Sequence, residues 1–270
     1  MTIQDMIKLK KELGCSNQQI ADKAGLPLAT VQKIFSGSTT TPRYETRRAL
    51  EDALSGFVVS EPAAYGVSRK EPEKNSRQFS PRPGTMEEYL ALPEGARIEL
   101  IDGKFYDMAA PTFDHQRIAG LLYMNFQNHI SKNGGACIPS IAPTDVQLDC
   151  DDRTMVQPDV LVVCDRSKIT RAGVSGAPDL IVEIVSPSNW HMDSVIKLRK
   201  YRKAGVREYW MVIPEAKKVL TFVFEKGDEF TEYSFDDPEH NKVPVDIWNG
   251  KCVVDFGEIY EQIRFLYDAD

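Results

Sequence analysis

The sequence predicts an α/β protein, a mixed sheet flanked by helices, with a small all-α domain at the N-terminus. Three observations carry this prediction. Two short runs rich in Val and Ile, 160–164 and 180–185, have the length and composition of buried strands. Segments of helical period, notably 112–135 and the stretch after 186, alternate with strand segments, which places crossover helices against a sheet. The first 55 residues carry helical signals only.

Composition narrows the class. A chain of 270 residues can bury one large core and a small one. Its 42% hydrophobic and 27% charged content is that of an ordinary globular protein. No apolar run approaches membrane-spanning length, and MTIQDMIKLKKEL lacks the apolar core of a secretory signal, so a cytoplasmic protein without a membrane partner is expected. The five cysteines are odd in number and show no C-x-x-C pair; they read as reduced packing residues. The net charge of -7 is uneven: residues 1–55 hold 8 basic and 6 acidic side chains, 56–82 hold 5 and 3, and the rest 20 and 31. An acidic large part binds polyanions poorly, so any nucleic-acid partner requires metal ions or the basic N-terminal part to offset the repulsion.

Taken in order, Ile3, Met6, Ile7 and Leu13 mark a first helix. Ser16 caps a second that ends at Gly25, a third runs over 27–35 with Pro27 in its first turn, and a fourth covers 44–54. The pair joined at Gly25 resembles the helix-turn-helix of Cro/repressor-type DNA-binding domains, with Ala21 at the small-residue position and Val31 and Ile34 buried. That resemblance implies that the third helix enters a major groove. Leu28, Thr30, Gln32 and Lys33 are then its DNA-contacting candidates, with Asn17 near a phosphate. Residues 56–82, with three prolines and mixed charge, read as a flexible linker.

In the large domain, 83–270, Thr85-Met86-Glu87-Glu88 is a capping box opening a short helix. Asp102-Gly103 is a hairpin signal between two short strands, the first carrying Glu99. A long helix follows with His115 in its first turn. Residues 144–149 and the segment around 155–163 form a hairpin, 180–185 a buried strand, 207–214 another, and 218–235 a further hairpin before a final amphipathic helix over 255–268.

Each buried run carries an acid: Asp159 at the mouth of the first and Glu183 inside the second. A buried carboxylate is expensive unless paired or bound to a cation. Asp193, Lys197 and Tyr201 recur every four residues on the following helix and share one face. Two carboxylates on adjacent strands can hold a divalent ion, and a nearby ammonium can assist attack on phosphorus. Taken singly, Asp159 can cap a strand, Glu183 can pair with Arg199 or Arg207, and Lys197 can belong to a solvated basic face with Arg199, Lys200, Arg202 and Lys203. Together, in this order, they favour a site.

The succession IELIDG, a His-bearing helix, QPDV, VEIVSPS, D-x-x-x-K-x-x-x-Y and AGVREYW, over about 92–223, resembles the Uma-two family of endonucleases in the restriction-endonuclease-like PD-(D/E)XK superfamily. The resemblance implies that Pro158-Asp159 is the PD element, Glu183 the acid of (D/E)XK, and Ile184 the X whose carbonyl faces the metal. Val185 stands where the lysine belongs, and Lys197 on the next helix takes its place beside Asp193 and Tyr201. Glu99 is then an acid completing the metal site, His115 a histidine near it and Gln157 a supporting residue. The implied function is a divalent-metal-dependent endonuclease hydrolysing DNA, using Mg2+ or Mn2+ and no organic cofactor, working as a homodimer and targeted by the helix-turn-helix. The rival expectation is a DNA-binding transcriptional regulator whose nuclease-like domain is inactive and serves dimerisation or sensing.

Overall fold

The structure, a computed structural model, describes residues 3–267 apart from 4–5, 8–9, 11–15, 38, 40–41, 44–45, 48, 51–52, 54–81, 94, 149–151, 187–189, 191 and 228. The chain divides into two compact units, Met1–Gly66 and Val67–Asp270.

In the first unit, α1 (Asn17–Ala24) and α2 (Leu28–Phe35) are joined at Gly25, whose φ of +63° favours a residue without Cβ. The Leu26 N–H closes the turn on the Ala21 carbonyl at 3.0 Å. Ile20, Ala21, Val31 and Ile34 bury themselves against Met6, Leu50 and Ala53, the small Ala21 letting the two helices approach. The described residues of the first and fourth predicted helices, such as Met6 and Leu50, are helical. Leu13 and most of the predicted linker lie outside the described residues.

In the second unit, Thr85 caps α3 (Met86–Leu90) through the predicted capping box. Strands β2 (Ile98–Ile101) and β3 (Lys104–Asp107) pair through Asp102 and Gly103, at φ +50° and +74°, both left-handed as a tight hairpin demands. Strand β1 (Arg82–Pro83) joins their edge, so Arg82, read as the last linker residue, belongs to the ordered unit.

The central sheet holds β4 (Ile138–Ile141), β6 (Val160–Val163), β8 (Leu180–Ile184), β9 (Glu208–Ile213), β10 (Lys218–Val223) and β11 (Phe230–Ser234), in the order β11-β10-β9-β8-β6-β4. Only β8 and β9 are parallel; their crossover is a π-helical turn, Met192–Lys197, continued by α5 (Leu198–Ala204). Alternation assigns the faces. Val160, Val162, Val182 and Ile184 pack under α4 (Phe113–Asn133) through Ile118, Leu122 and Phe126. Leu161, Val163, Ile181 and Val185 pack on the other face with Tyr201 of α5. Both faces are covered, which is why β6 and β8 read as unbroken apolar runs.

Several elements differ from the sequence expectation. Residues 138–141 form the edge strand β4, which Pro139 and Ser140 disguise as a loop; Pro is tolerated in a strand at such an edge. The strand expected over 144–149 reduces to β5 (Val146–Gln147), paired with β7 (Val174–Ser175). An unforeseen hairpin joins β12 (Lys242–Val245) to β13 (Cys252–Asp255), although Asn249-Gly250, at φ +53° and +71°, was a legible turn signal. The final helix is shorter than predicted: α6 spans Phe256–Glu261, and a 3-10 turn follows at Arg264–Leu266. Cys137 and Cys164 are not reduced packing residues. They face each other one position beyond the Ile138–Val163 pair and form a disulfide. Among the described residues no helix is long and apolar enough to cross a membrane.

Candidate active site

The antiparallel pairing of β6 with β8 brings the start of one strand beside the end of the other, so Asp159 and Glu183 meet at one end of the sheet. The Ile184 N–H donates to Asp159 Oδ2 at 2.7 Å. In an extended strand the N–H and C=O of one residue face the same edge, which turns the Ile184 carbonyl toward Asp159 as well. Glu183 lies on the face covered by the π-turn and α5. There the Lys197 Nζ, 3% exposed, lies 3.0 Å from Glu183 Oε1, 2.9 Å from Glu99 Oε1 and 3.8 Å from Asp193 Oδ1. The Tyr201 hydroxyl also donates to Glu183 Oε1.

The acids expected to converge do so, and the lysine is not part of a solvated face. Burying an ion costs several kcal/mol, which only close partners offset. Glu183 finds them in Lys197 and Tyr201; Arg207 goes instead to Asp179 and Glu225. Val185 is buried on the same face as Glu183, two residues on, and the ammonium arrives from the helix packed over it.

Glu99 is placed by backbone pairing of Leu100 with Met155, at 2.9 and 2.7 Å, which sets its carboxylate against the Gln157 N–H at 2.8 Å. The Gln157 side-chain amide donates to Asp145 Oδ1 at 2.8 Å and to the Tyr89 hydroxyl at 3.2 Å, and Tyr89 itself donates to Asp145. His115 reaches the cluster from α4, its Nε2 3.1 Å from Asp159 Oδ2. Tyr89 and Lys200, which pairs with Asp102 at 2.7 Å, escaped sequence reasoning because 56 or more residues separate each from its partners, and Asp145, 12 residues from Gln157, because no motif links the two.

The electrostatics follow from burial. Desolvation pushes the Glu183 carboxyl up to about 7; Lys197 and Tyr201 pull it down, while Asp159 and Glu99 push it further up. Desolvation likewise raises Asp193, against Lys197. Burial alone would lower the Lys197 ammonium, but Glu183, Glu99 and Asp193 outweigh it and hold it well above its ordinary value. For His115, burial works against the charged ring and Asp159 prevails, so its value is raised.

Asp159, Glu183 and the Ile184 carbonyl are oxygen donors of the kind a hard divalent cation takes. Four acids, Glu99, Asp159, Glu183 and Asp193, surround Lys197 and His115, a donor set rich in negative charge. The His115 Nδ1 is buried without a hydrogen-bond partner. These residues fit a cation, although among the described residues no three His, Cys, Asp or Glu side chains form a ready cage. In the first unit, Gln32 and Lys33 are exposed on α2, Thr30 is half-buried, and Leu28 packs in part on the core. Asn17 is half-buried, and among the described residues its Oδ1 has no partner.

Comparison with known proteins adds the family. Residues 86–248 match the family model Uma2, described as "Putative restriction endonuclease", and residues 6–55 match a helix-turn-helix model. The crystal structure of a "putative nuclease belonging to DUF820" from Anabaena variabilis superposes with a TM-score of 0.55 at 21% identity, covering 66% of this chain and 98% of that one. An uncharacterized protein of Synechocystis sp., slr1290, is 29% identical over 146 residues, 53% of this chain and 74% of its own length. The matched family region spans more than half of the chain and contains every acid of the cluster together with Lys197 and His115, and on that ground the protein belongs to the Uma2 family.

Proposed function

We propose that residues 83–270 hydrolyse DNA phosphodiester bonds with the help of Mg2+ or Mn2+, and that residues 1–55 choose where on DNA this occurs. The observation that carries the reading is the buried Lys197 ammonium shared by Glu183 and Glu99, beside an Asp159 oriented by the Ile184 amide. Asp159, Glu183 and the Ile184 carbonyl would hold the ion, which when bound polarises a phosphoryl oxygen and lowers the pKa of water. The remaining steps belong to the chain. Lys197 offers a fixed positive charge to the negative charge that develops on phosphorus. Tyr201, Glu99 and Asp193 fix the geometry of Glu183 and Lys197, His115 orients Asp159, and Gln157 ties Glu99 to the Asp159 strand. A homodimer would set two such sites on the two strands, and DNA as substrate is consistent with a cytoplasmic protein.

The test is plasmid nicking with Mg2+ or Mn2+. EDTA is expected to stop it. Asp159→Asn, Glu183→Gln and Lys197→Met are each expected to slow it by about 10²-fold or more, with circular dichroism unchanged. A folded protein that retards DNA in a gel yet leaves every DNA form intact would establish the regulator instead.

A further inference from the structure

Glu183 divides the charged cluster into two halves. On one side Lys197 engages Glu99, Glu183 and Asp193. On the other, His115 engages Asp159, which also accepts the Ile184 N–H.

The two halves differ in access. Glu99 and Asp193 are 2% and 4% exposed. One oxygen of Glu99 already takes both the ammonium and the Gln157 N–H, and the backbone oxygen of Asp193 is held by the Tyr209 hydroxyl at 3.1 Å. A divalent ion of the magnesium type keeps several of its waters; Glu99, Asp193 and the 3% exposed Glu183 offer no solvated side of their own, and of the three only Glu183 stands beside Asp159 in the strand pairing. Asp159 does offer one: its side chain is 12% exposed and that of His115 beside it 19%.

We infer that Glu99 and Asp193 are the counter-ions of Lys197 and not metal ligands, so that the chain holds one divalent ion, on the Asp159–Glu183–Ile184 corner, rather than two. Lys197 thereby takes the place a second cation would occupy between Glu99 and Glu183. Glu99 and Asp193 are positioning residues on this assignment. It rests on the metal-dependent reading above, and the experiment separates the two.

Mn2+ is titrated into the full chain and the free ion counted by electron paramagnetic resonance, a measurement independent of cleavage. The expected result is one Mn2+ per chain. Asp159→Asn is expected to weaken binding by more than about 100-fold, whereas Glu99→Gln and Asp193→Asn retain one ion with a loss of about tenfold or less, the scale of residues that only support a ligand. Two ions per wild-type chain, or a loss for Glu99→Gln or Asp193→Asn equal to that for Asp159→Asn, overturns the inference and leaves metal-dependent hydrolysis standing. Failure of the wild type to bind any Mn2+ overturns both. Should Glu99→Gln or Asp193→Asn fail to fold, the count on the wild type decides.

Discussion

Lys197 shows how a residue that looks ordinary in the sequence acquires a specific role. In the helix it is one of five basic side chains within seven positions; in the fold it is buried among three acids while Arg199, Arg202 and Lys203 stay exposed. The difference is its phase on the helix, which points it at the sheet end where Glu183 waits. The same burial makes stability depend on pH. Glu183, Asp193 and His115 all have raised values in the folded state, so each gives its full contribution below its ordinary value and loses it as pH rises through the folded one. For Glu183 the window runs from 4.5 to about 7, and the loss is on the order of 3 kcal/mol. Lys197, raised above 10.5, keeps its contribution throughout that window. In EDTA the thermal midpoint is therefore expected to fall between pH 5 and 8, with a shallower slope in Glu183→Gln. Melting curves that coincide across that range would refute this account of the buried acids.

At the scale of elements, strand pairing decides both the site and its support. The β4–β6 register that sets Cys137 against Cys164 also lets the Ala142 N–H donate to the Asp159 carbonyl at 3.0 Å, so the edge strand is fastened at both ends. Closing a loop across 27 residues by a disulfide is worth about 3–4 kcal/mol in the chain-entropy picture. Dithiothreitol, or Cys137→Ser, is expected to lower the denaturation midpoint accordingly, and equal midpoints in reduced and oxidised protein would show that the bond contributes nothing. This pairing was invisible in the sequence because it depends on β4, and β4 was hidden by Pro139. What was legible had local causes. The Asp102-Gly103 turn, the Thr85 capping box, the long α4 and the two apolar strands each follow from residues within one element. The acids of the site were legible because a charge inside an apolar run is conspicuous. The Tyr89–Asp145–Gln157 set and the Lys200–Asp102 pair join residues that only the completed fold brings together. The π-turn at Met192–Lys197 also escaped: its spacing still lets Lys197 and Tyr201, four apart, converge on Glu183.

For the whole molecule, the decisive fact is that each unit owns its core. Among the described residues, the apolar cluster of the first unit draws on residues from Ile3 to Ala53, and those of the second on residues from Met86 onward. Each unit has an apolar core of its own, so the two are expected to fold separately. Their charges differ in sign, with residues 1–55 carrying an excess of two basic groups and 83–270 an excess of eleven acids. DNA is a polyanion, so the unit proposed to cut it is repelled by its substrate, and the unit proposed to bind it supplies the compensating contacts. Deletion of residues 1–66 is accordingly expected to leave a fragment with its own cooperative melt. That fragment should cut plasmid at a comparable rate when DNA is saturating, with a KM raised about tenfold or more and no preferred position. The comparison is made at one salt concentration, because the affinity term varies steeply with salt. A fragment that melts cooperatively and binds Mn2+ but cuts nothing at any DNA concentration would show that the chemistry requires the first unit, and would end the division of labour proposed for the chain.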